Sequence, residues 1–410
     1  MLSPTRPDPR WRAWLGAGML IGLLAFVLWP KALNKLGVFD YGMWFLDSYA
    51  ILAASDTLKA GVDPVQPMAF DVQHRAHIYS DWWYGVGKLG LTREDNFLLG
   101  GLWVLSFVLA AWIFLRPKSA RETAWYLCLF ISPPVLLGVN RANNDLVIFV
   151  LLVFAALILA RQTLVRLAAA IGALAVATGL KYYPIVGAAV FLLVRPRSRL
   201  IATVIAAVVV LGATMASVAS ALGRANLNGI SASIYTFGAP VILRDLGWEG
   251  PRALGAGILI MAALVAASIF WRGLRVMSET KSPVTQAAFV LGAAMLVGCF
   301  LTGISFAYRC AFLLLVAPWL WEQRTLRTDA NLALWLTTAV MWLDGVSCLV
   351  MNFLVGPVNK AVVPTIQLWW RFATQPIAWL LMVLLIRWLL EIGLAAWRAE
   401  SLDKTAGVHS

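Results

Sequence analysis

The run VTQAAFVLGAAMLVGCFLTGI, residues 284–304, contains no charged side chain. About 20 such residues cross the hydrocarbon core of a bilayer as one α-helix, which pairs its own backbone groups where no water is available. The rest of the chain has the same character, since 61% of its 410 residues are hydrophobic and only 13% are charged. A soluble globule could not bury so much apolar side chain. The sequence therefore predicts an all-α polytopic membrane protein.

Further apolar segments are predicted as spans at residues 13–30, 97–115, 124–139, 145–160, 200–222, 254–271, 308–321, 330–355 and 374–396. The segment LAAAIGALAVATGLKYYPIVGAAVFLLV, residues 167–194, has arginines on both flanks and Lys181-Tyr182-Tyr183-Pro184 in its middle. Proline starts a helix at little cost because the first turn needs no donor there. This segment is therefore predicted to form a hairpin of two short helices turning at Lys181 to Pro184. The total is about 12 membrane helices.

The distribution of basic residues predicts the orientation. One side takes both termini and the short loops with 18 of the 33 lysines and arginines, so this side is expected to be cytoplasmic. The net charge of +13 then needs no nucleic acid to explain it. We expect a multi-pass protein of the bacterial inner (plasma) membrane with both termini in the cytoplasm. Residues 1–398 form a single membrane domain, and residues 399–410 form a cytoplasmic tail.

The N-terminal apolar stretch resembles a signal peptide but lacks a convincing small-x-small cleavage site, so we expect it to remain as the first anchor. The opposite side of the membrane receives three longer loops, at residues 31–96, 223–253 and 356–373. The first loop is the longest and contains most of the outward acids. We expect the functional residues to be concentrated on this outer side.

The first outer loop contains FLDSYAILAASDTLKAGVDP, residues 45–64, which has the pattern of a polar-faced helix closed by Gly61 and Asp63-Pro64. Asp47 and Asp56 lie on this helix. The same loop carries Trp82-Trp83-Tyr84, which fits an aromatic belt at the membrane surface, a stacking platform for sugar rings or a contact to a lipid chain.

Two very short outer turns concentrate polar residues. The stretch GVNRANNDLVIF, residues 138–149, contains Arg141, Asn143, Asn144 and Asp145, and the stretch GISFAYRCAFLLL, residues 303–315, contains Tyr308 and Arg309. Asp145 also fits a helix cap, and Lys181 fits a lysine that reaches to the membrane surface. Together, Arg141, Lys181 and Arg309 form a set of cations suited to a phosphate. Asp344, within AVMWLDGVSC, is an intramembrane acid whose partner the sequence does not identify.

Several pieces of the chain resemble a known family. Asp47 is followed by Ala53-Ala54, by Ala60-Gly61 and by Asp63-Pro64, and later come RANNDLVIF at 141–149, LKYYP at 180–184 and YRCAFLLLVAPWL at 308–320. In this order the pieces resemble the GT-C superfamily of polyprenyl-phosphate-sugar-dependent glycosyltransferases. Within that superfamily they are most similar to glycosyltransferase family 87, which includes polyprenyl-phosphomannose-dependent mannosyltransferases. The chain departs from the family pattern at Val65, where a tyrosine is common.

The resemblance implies a GT-C-like helix bundle with amphipathic helices in its long first outer loop. It implies inverting transfer of a hexose, with mannose favoured, from a polyprenyl-phosphate donor to a lipid or glycan acceptor at the outer face. Asp47 is then expected to be the general base, with Asp40 as its competitor. The expected substrate-binding residues are Asp40, Tyr49, Arg141, Asn143, Asn144, Asp145, Lys181, Tyr182, Tyr308 and Arg309.

No metal and no cofactor are expected. His74 and His77 are close in sequence but have no assigned third ligand, and no glycine-rich phosphate loop occurs. Two other classes of function stay open. A transporter or flippase of lipid-linked sugars would also carry intramembrane cations, although no convincing internal repeat is present. A periplasmic glycan polymerase or ligase would be expected to have its large loop late in the chain.

Overall fold

The computed structural model describes residues 9–35, 38, 42–220, 223, 236–274, 282–303, 305–354 and 363–406. Asp40 lies outside these residues, as do parts of the predicted second and third outer loops. The described chain is almost entirely helical, with one small pair of strands. This confirms an all-α polytopic membrane protein.

The α-helices, numbered here in chain order, have the following bounds: α1 Pro9–Leu28, α2 Pro30–Asn34, α3 Leu46–Lys59, α4 Gly85–Lys88, α5 Asn96–Phe114, α6 Ala120–Phe130, α7 Pro133–Arg141, α8 Asp145–Leu159, α9 Leu164–Leu180, α10 Arg197–Ser217, α11 Pro240–Asp245, α12 Gly250–Arg272, α13 Pro283–Thr302, α14 Leu313–Gln323, α15 Thr328–Leu354 and α16 Val363–Ala406. Shorter 3-10 helices cover Asp81–Tyr84, Arg93–Asp95 and Ala307–Phe312, and a longer one covers Tyr183–Leu193. The strands β1 (Thr236–Phe237) and β2 (Ser305–Phe306) pair antiparallel. The last helix continues well into the predicted cytoplasmic tail.

Within the described residues, 7 helices are long and apolar enough to cross a membrane, so the predicted total of about 12 is not confirmed. They are α1, α5, α10, α12, α13, α15 and α16. The predicted span at 124–139 is instead the pair α6 and α7, bent by 51° where Pro133 and Pro134 start the second helix. The predicted spans at 145–160 and 308–321 correspond to α8 and to a 3-10 turn followed by α14, both shorter than a full crossing.

A tight hairpin lies where the sequence predicted one. The helix α9 ends at Leu180, and the chain continues from Tyr183 as a 3-10 helix rather than an α-helix. At the open end the Gln162 amide donates to the Leu193 carbonyl over 3.0 Å and accepts from the Arg195 N–H over 2.7 Å. At the closed end the Trp83 indole donates to the Leu180 carbonyl over 3.0 Å. The two arms therefore run antiparallel, with their tip under the first outer loop.

Contacts between loops divide the bundle into two ends. At one end Lys118 pairs with Glu322 at 3.3 Å, and Arg197 stacks on the ring of Trp397 at 4.0 Å. These contacts join loops that the sequence assigned to the cytoplasmic side. At the opposite end lie α3, the tip of the hairpin and the turn between α7 and α8, which the sequence assigned to the outer side.

The helix α13 forms the centre of the bundle and is buried along most of its length. Its Phe289 stacks on Trp319 of α14 with ring centroids 4.0 Å apart, and Trp388 of α16 lies 5.0 Å from Trp319. Gly292 permits this approach, because a Cβ atom there would lie 2.7 Å from Leu315 Cβ and 2.9 Å from the Phe312 carbonyl oxygen.

Replacing Gly292 with alanine should therefore destabilise the bundle by about 1–3 kcal/mol, because two helix backbones must separate. The measurement is the thermal unfolding midpoint of the purified protein in detergent. Gly212→Ala on α10 is the matched control, since nothing lies within 4 Å of its would-be Cβ. Equal midpoints for the two variants would contradict the close packing of α13 on α14.

Candidate functional site

A buried carboxylate, Asp47, lies in the first turn of α3 with its side chain only 1% exposed. Arg141, the last residue of α7, donates two hydrogen bonds to it, from Nε to Oδ2 at 2.9 Å and from Nη2 to Oδ1 at 2.7 Å. The Asn143 amide adds a third at 2.6 Å. The start of α3 is fixed to α7 as well, because the Phe45 N–H donates to the Asn140 carbonyl over 2.8 Å.

A second arginine, which the sequence prediction missed, reaches Asp47 from the first outer loop. Arg75 Nη1 lies 3.4 Å from Asp47 Oδ1. The Arg75 guanidinium donates hydrogen bonds of 2.8 Å and 2.9 Å to Asp71, which positions this arginine. The same Asp71 carboxylate also accepts the Arg75 backbone N–H. Arg75 is therefore held next to Asp47 by its own loop.

The ionisation of these acids follows from their partners. Burial alone raises the pKa of Asp47, but the Arg141 guanidinium, together with Arg75 and Asn143, outweighs it and holds the pKa below its ordinary value. Burial likewise acts against ionisation of Asp71, yet its hydrogen bonds with Arg75 lower the pKa of that carboxyl. Both groups are therefore carboxylates at neutral pH.

A second buried carboxylate, Asp145, begins α8. Its Oδ1 accepts a hydrogen bond from Lys181 Nζ and one of 2.5 Å from the Tyr183 hydroxyl. Arg309 Nε lies 3.7 Å from the other oxygen, Oδ2, and Arg309 also donates to the hydroxyl of Ser305. Lys181 is thus buried and paired rather than reaching to the surface. Asp145 is not a cap for backbone amides, because no backbone N–H of the described residues donates to its carboxylate. Its own N–H donates to Asn143 Oδ1 over 2.9 Å.

Asn143 connects the two carboxylates. Its amide nitrogen donates to Asp47, while its carbonyl oxygen accepts from the Asp145 N–H and lies 3.4 Å from Lys181 Nζ. Ala142 places it there by adopting a left-handed conformation, φ 41°, that ends α7 sharply. Ala142 and Asn143, adjacent in one turn, thereby connect Asp47 with Asp145, which lies almost one hundred positions later in the sequence.

Asn144 adjoins this network without a described hydrogen bond to it. Its side chain is fully buried, yet neither its amide nitrogen nor its carbonyl oxygen has a hydrogen-bond partner among the described residues. A buried amide without a partner costs about 1–3 kcal/mol. Such a group next to two carboxylates is a natural contact for a hydroxyl-bearing ligand.

The charges of the site are unequal. Within the part of the chain that the structure describes, the connected network holds the carboxylates Asp47, Asp71 and Asp145. Against these three it holds four cations, namely Arg75, Arg141, Lys181 and Arg309. The rings of Tyr79, Tyr183 and Tyr308 surround Lys181 Nζ at 5.7–5.8 Å. Among the described residues, the site therefore carries one excess positive charge and lies next to three tyrosine rings.

Most of the predicted residues meet here: Asp47, Arg141, Asn143, Asn144, Asp145, Lys181, Tyr308 and Arg309. Two of the predicted residues, Tyr49 and Tyr182, lie outside this group. Tyr49 instead lines a separate polar pocket of about 530 Å³ with Asp56 and Arg93. Tyr182 is partly exposed and touches the site only through the edge of the Tyr183 ring. Asp40 lies outside the described residues.

Neighbouring residues have structural roles. Asp56 pairs with Arg93 at 2.9 Å, and Asp63 accepts the Val65 N–H over 3.0 Å in the turn that follows α3. Trp83 is buried against Trp103 with ring centroids 4.9 Å apart, so it is a packing residue rather than a member of a surface belt.

Asp344 of α15 lies on the other side of the Tyr308–Arg309 turn. It is close to Cys310 and has no hydrogen bond or ion pair among the described residues. Its partner, which the sequence left open, is therefore not found within the described structure.

Comparison with known protein families, with curated proteins and with solved structures gives no match to this chain. The resemblance to glycosyltransferase family 87 consequently rests on the quoted residues alone.

The two asparagines provide a test of this arrangement. Asn143→Ala should destabilise the protein by about 1–3 kcal/mol, because it removes one of the four hydrogen bonds to Asp47 and leaves the Asp145 N–H without its side-chain acceptor. Asn144→Ala removes an amide that makes no described hydrogen bond and should leave the unfolding midpoint unchanged or higher. Thermal unfolding in detergent measures both. A larger loss for Asn144→Ala than for Asn143→Ala would contradict the network.

The pH dependence of stability gives a second test. Because the folded pKa of Asp47 lies below the unfolded value near 3.9, the stability that its ion pairs provide is complete above that value and is lost as the pH falls through the folded pKa. Between about pH 5 and pH 3 the midpoint of the wild type should fall more steeply than that of Asp47→Asn. Parallel slopes would contradict an ionised, cation-bound Asp47.

Proposed function

We propose that the chain is an inverting membrane glycosyltransferase. It transfers a hexose, with mannose favoured, from a polyprenyl-phosphate donor to a lipid or glycan hydroxyl on the periplasmic side of a bacterial inner membrane. The supporting observation is the buried network of three carboxylates and four cations around the unpaired amide of Asn144. An excess cation suits the phosphate of the donor, and a free amide suits a sugar hydroxyl.

Asp47 is the proposed general base. Its four acceptor positions are occupied by Arg141, Asn143 and Arg75, so an acceptor hydroxyl must displace one of them. Arg75 makes the longest of these contacts, at 3.4 Å, and it comes from a loop rather than from the helix bundle. The hydroxyl therefore takes the position of Arg75 beside Oδ1.

The proton of that hydroxyl passes to Asp47 as the acceptor oxygen forms its bond with the anomeric carbon. The bond from the anomeric carbon to the phosphate oxygen breaks on the opposite face, and its electron pair goes to the departing polyprenyl phosphate. This phosphate gains negative charge, which nearby cations stabilise without a proton donor.

Arg309 is the best placed of these cations. It contacts Asp145 at 3.7 Å, a longer separation than in the other ion pairs of the site, and its side chain is 14% exposed. Lys181 and Arg141 are tied more closely to carboxylates. A phosphate would first draw Arg309 towards itself, with the hydroxyl of Tyr308 beside it as a hydrogen-bond donor.

Donor binding also activates the base in this scheme. A carboxylate with a lowered pKa is a weak base, because a good catalytic base has a pKa near the working pH. A phosphate that draws Arg75 away from Oδ1 removes part of the charge that holds the pKa of Asp47 down. The base therefore gains strength when the donor is in place.

The test is transfer of labelled sugar from a polyprenyl-phosphate donor to a membrane extract at matched expression. Asp47→Asn should lower transfer by about 10²–10⁴-fold, the usual contribution of a general base. Asp56→Asn, on the same helix but paired with Arg93, is the matched control and should retain transfer. Asp40→Asn tests the competing base.

Full activity in Asp47→Asn would rule out this base, and loss in Asp40→Asn alone would transfer the role to Asp40. Absence of transfer by the wild type with every donor tried, together with movement of a labelled lipid-linked sugar across proteoliposomes, would instead establish a transporter.

A further inference from the structure

A groove of about 670 Å³ lies among α12, α15 and α16, is also lined by Ile242 and Leu243 of α11, and shares no residue with the site around Asp47. Its walls are apolar along most of their length. They include Leu264, Ala267, Leu332, Trp379, Leu380 and Leu384. All three helices are long enough to cross a membrane, so the groove opens towards hydrocarbon rather than water.

One end of the groove is charged. Arg272, the last residue of α12, lines it, is exposed and has no ion pair among the described residues. Deeper in the same end, Arg387 contacts Asp329 and the hydroxyl of Ser268. Those deeper charges are balanced, because Arg327 and Arg387 face Asp329 and Glu391. Among the described residues, Arg272 therefore adds a positive charge to this end that no described carboxylate balances.

The position of the charged end matches a membrane surface. Trp271, beside Arg272, is 83% exposed, and exposed tryptophans concentrate where headgroups meet hydrocarbon. From Ile260 to Arg272 the groove follows α12 for about 18 Å at 1.5 Å per residue. Half of a hydrocarbon core of about 30 Å is one leaflet. The groove is therefore about one leaflet deep and opens at its basic end.

We propose that this groove binds one anionic phospholipid of the leaflet at the basic end, which the sequence assigns to the cytoplasmic side. The phosphate lies against Arg272, and one acyl chain lies in the groove beside Ala267. The depth of a single leaflet suits a fatty acyl chain, whereas a polyprenyl chain is far longer. The apolar walls fit hydrocarbon, and the excess arginine fits a negative headgroup rather than a neutral one.

The test is native mass spectrometry of the full-length protein purified in mild detergent and incubated with phosphatidylglycerol. We expect one retained lipid, and we expect Arg272→Ala to weaken its binding about fivefold, the effect of one arginine near an anionic headgroup. Arg252→Ala, exposed at the opposite end of α12, is the matched control and should bind as the wild type does.

A second pair of variants tests the acyl chain independently of charge. Ala267→Trp fills the groove and should lower lipid retention, whereas Ala266→Trp, exposed on the neighbouring position but not lining the groove, should not. Unchanged retention in both Arg272→Ala and Ala267→Trp would overturn the proposal. Equal retention of zwitterionic phosphatidylcholine would overturn its charge specificity. A dimer that disappears in Ala267→Trp would show that a second copy fills the groove instead.

Discussion

The bidentate pair of Arg141 with Asp47 is the interaction on which the outer end of the protein depends. Removing a charge from water is costly unless it is paired and fully hydrogen-bonded. Asp47 meets this condition with four hydrogen bonds, and each comes from outside its own helix. The pair therefore docks α3 of the first outer loop onto the end of α7. It acts together with the Phe45 N–H bond to Asn140 and the Trp83 indole bond to Leu180, which also fix this loop over the bundle.

The remaining site residues are placed by interruptions in regular structure. Asn143 and Asp145 come from the turn that Ala142 makes possible, Lys181 from the break after α9, and Arg309 from the 3-10 turn that precedes α14. Irregular backbone at the level of a membrane is tolerated where it faces protein or a polar cavity. The polar network supplies that environment. It accepts a hydrogen bond from the first N–H of α8, and it also holds the site residues together.

The sequence predicted the membrane class, the helix in the first outer loop and most members of the site, because hydropathy and clustered polar turns are local signals. It predicted α8 and α14 as full spans, but both helices are shorter than a full crossing because turns that bear the site precede them. It missed Arg75, because the segment QHRAH was interpreted only through its two histidines as a possible metal site. It also favoured Tyr182 over Tyr183. Two adjacent tyrosines do not show which side chain the following 3-10 helix directs to Asp145.

The protein contains a second buried ionic network, and its contrast with the site is informative. Arg327, Arg387, Asp329 and Glu391 balance two cations against two carboxylates. Such a cluster holds α15 to α16, and its described ion pairs contain equal numbers of cations and carboxylates. The site around Asp47 has four cations for three carboxylates and a buried amide without a described partner. Among the described residues, the fourth cation and the buried amide of Asn144 have no counterpart in the balanced cluster. Both features favour a site that an anionic, hydroxyl-bearing ligand completes.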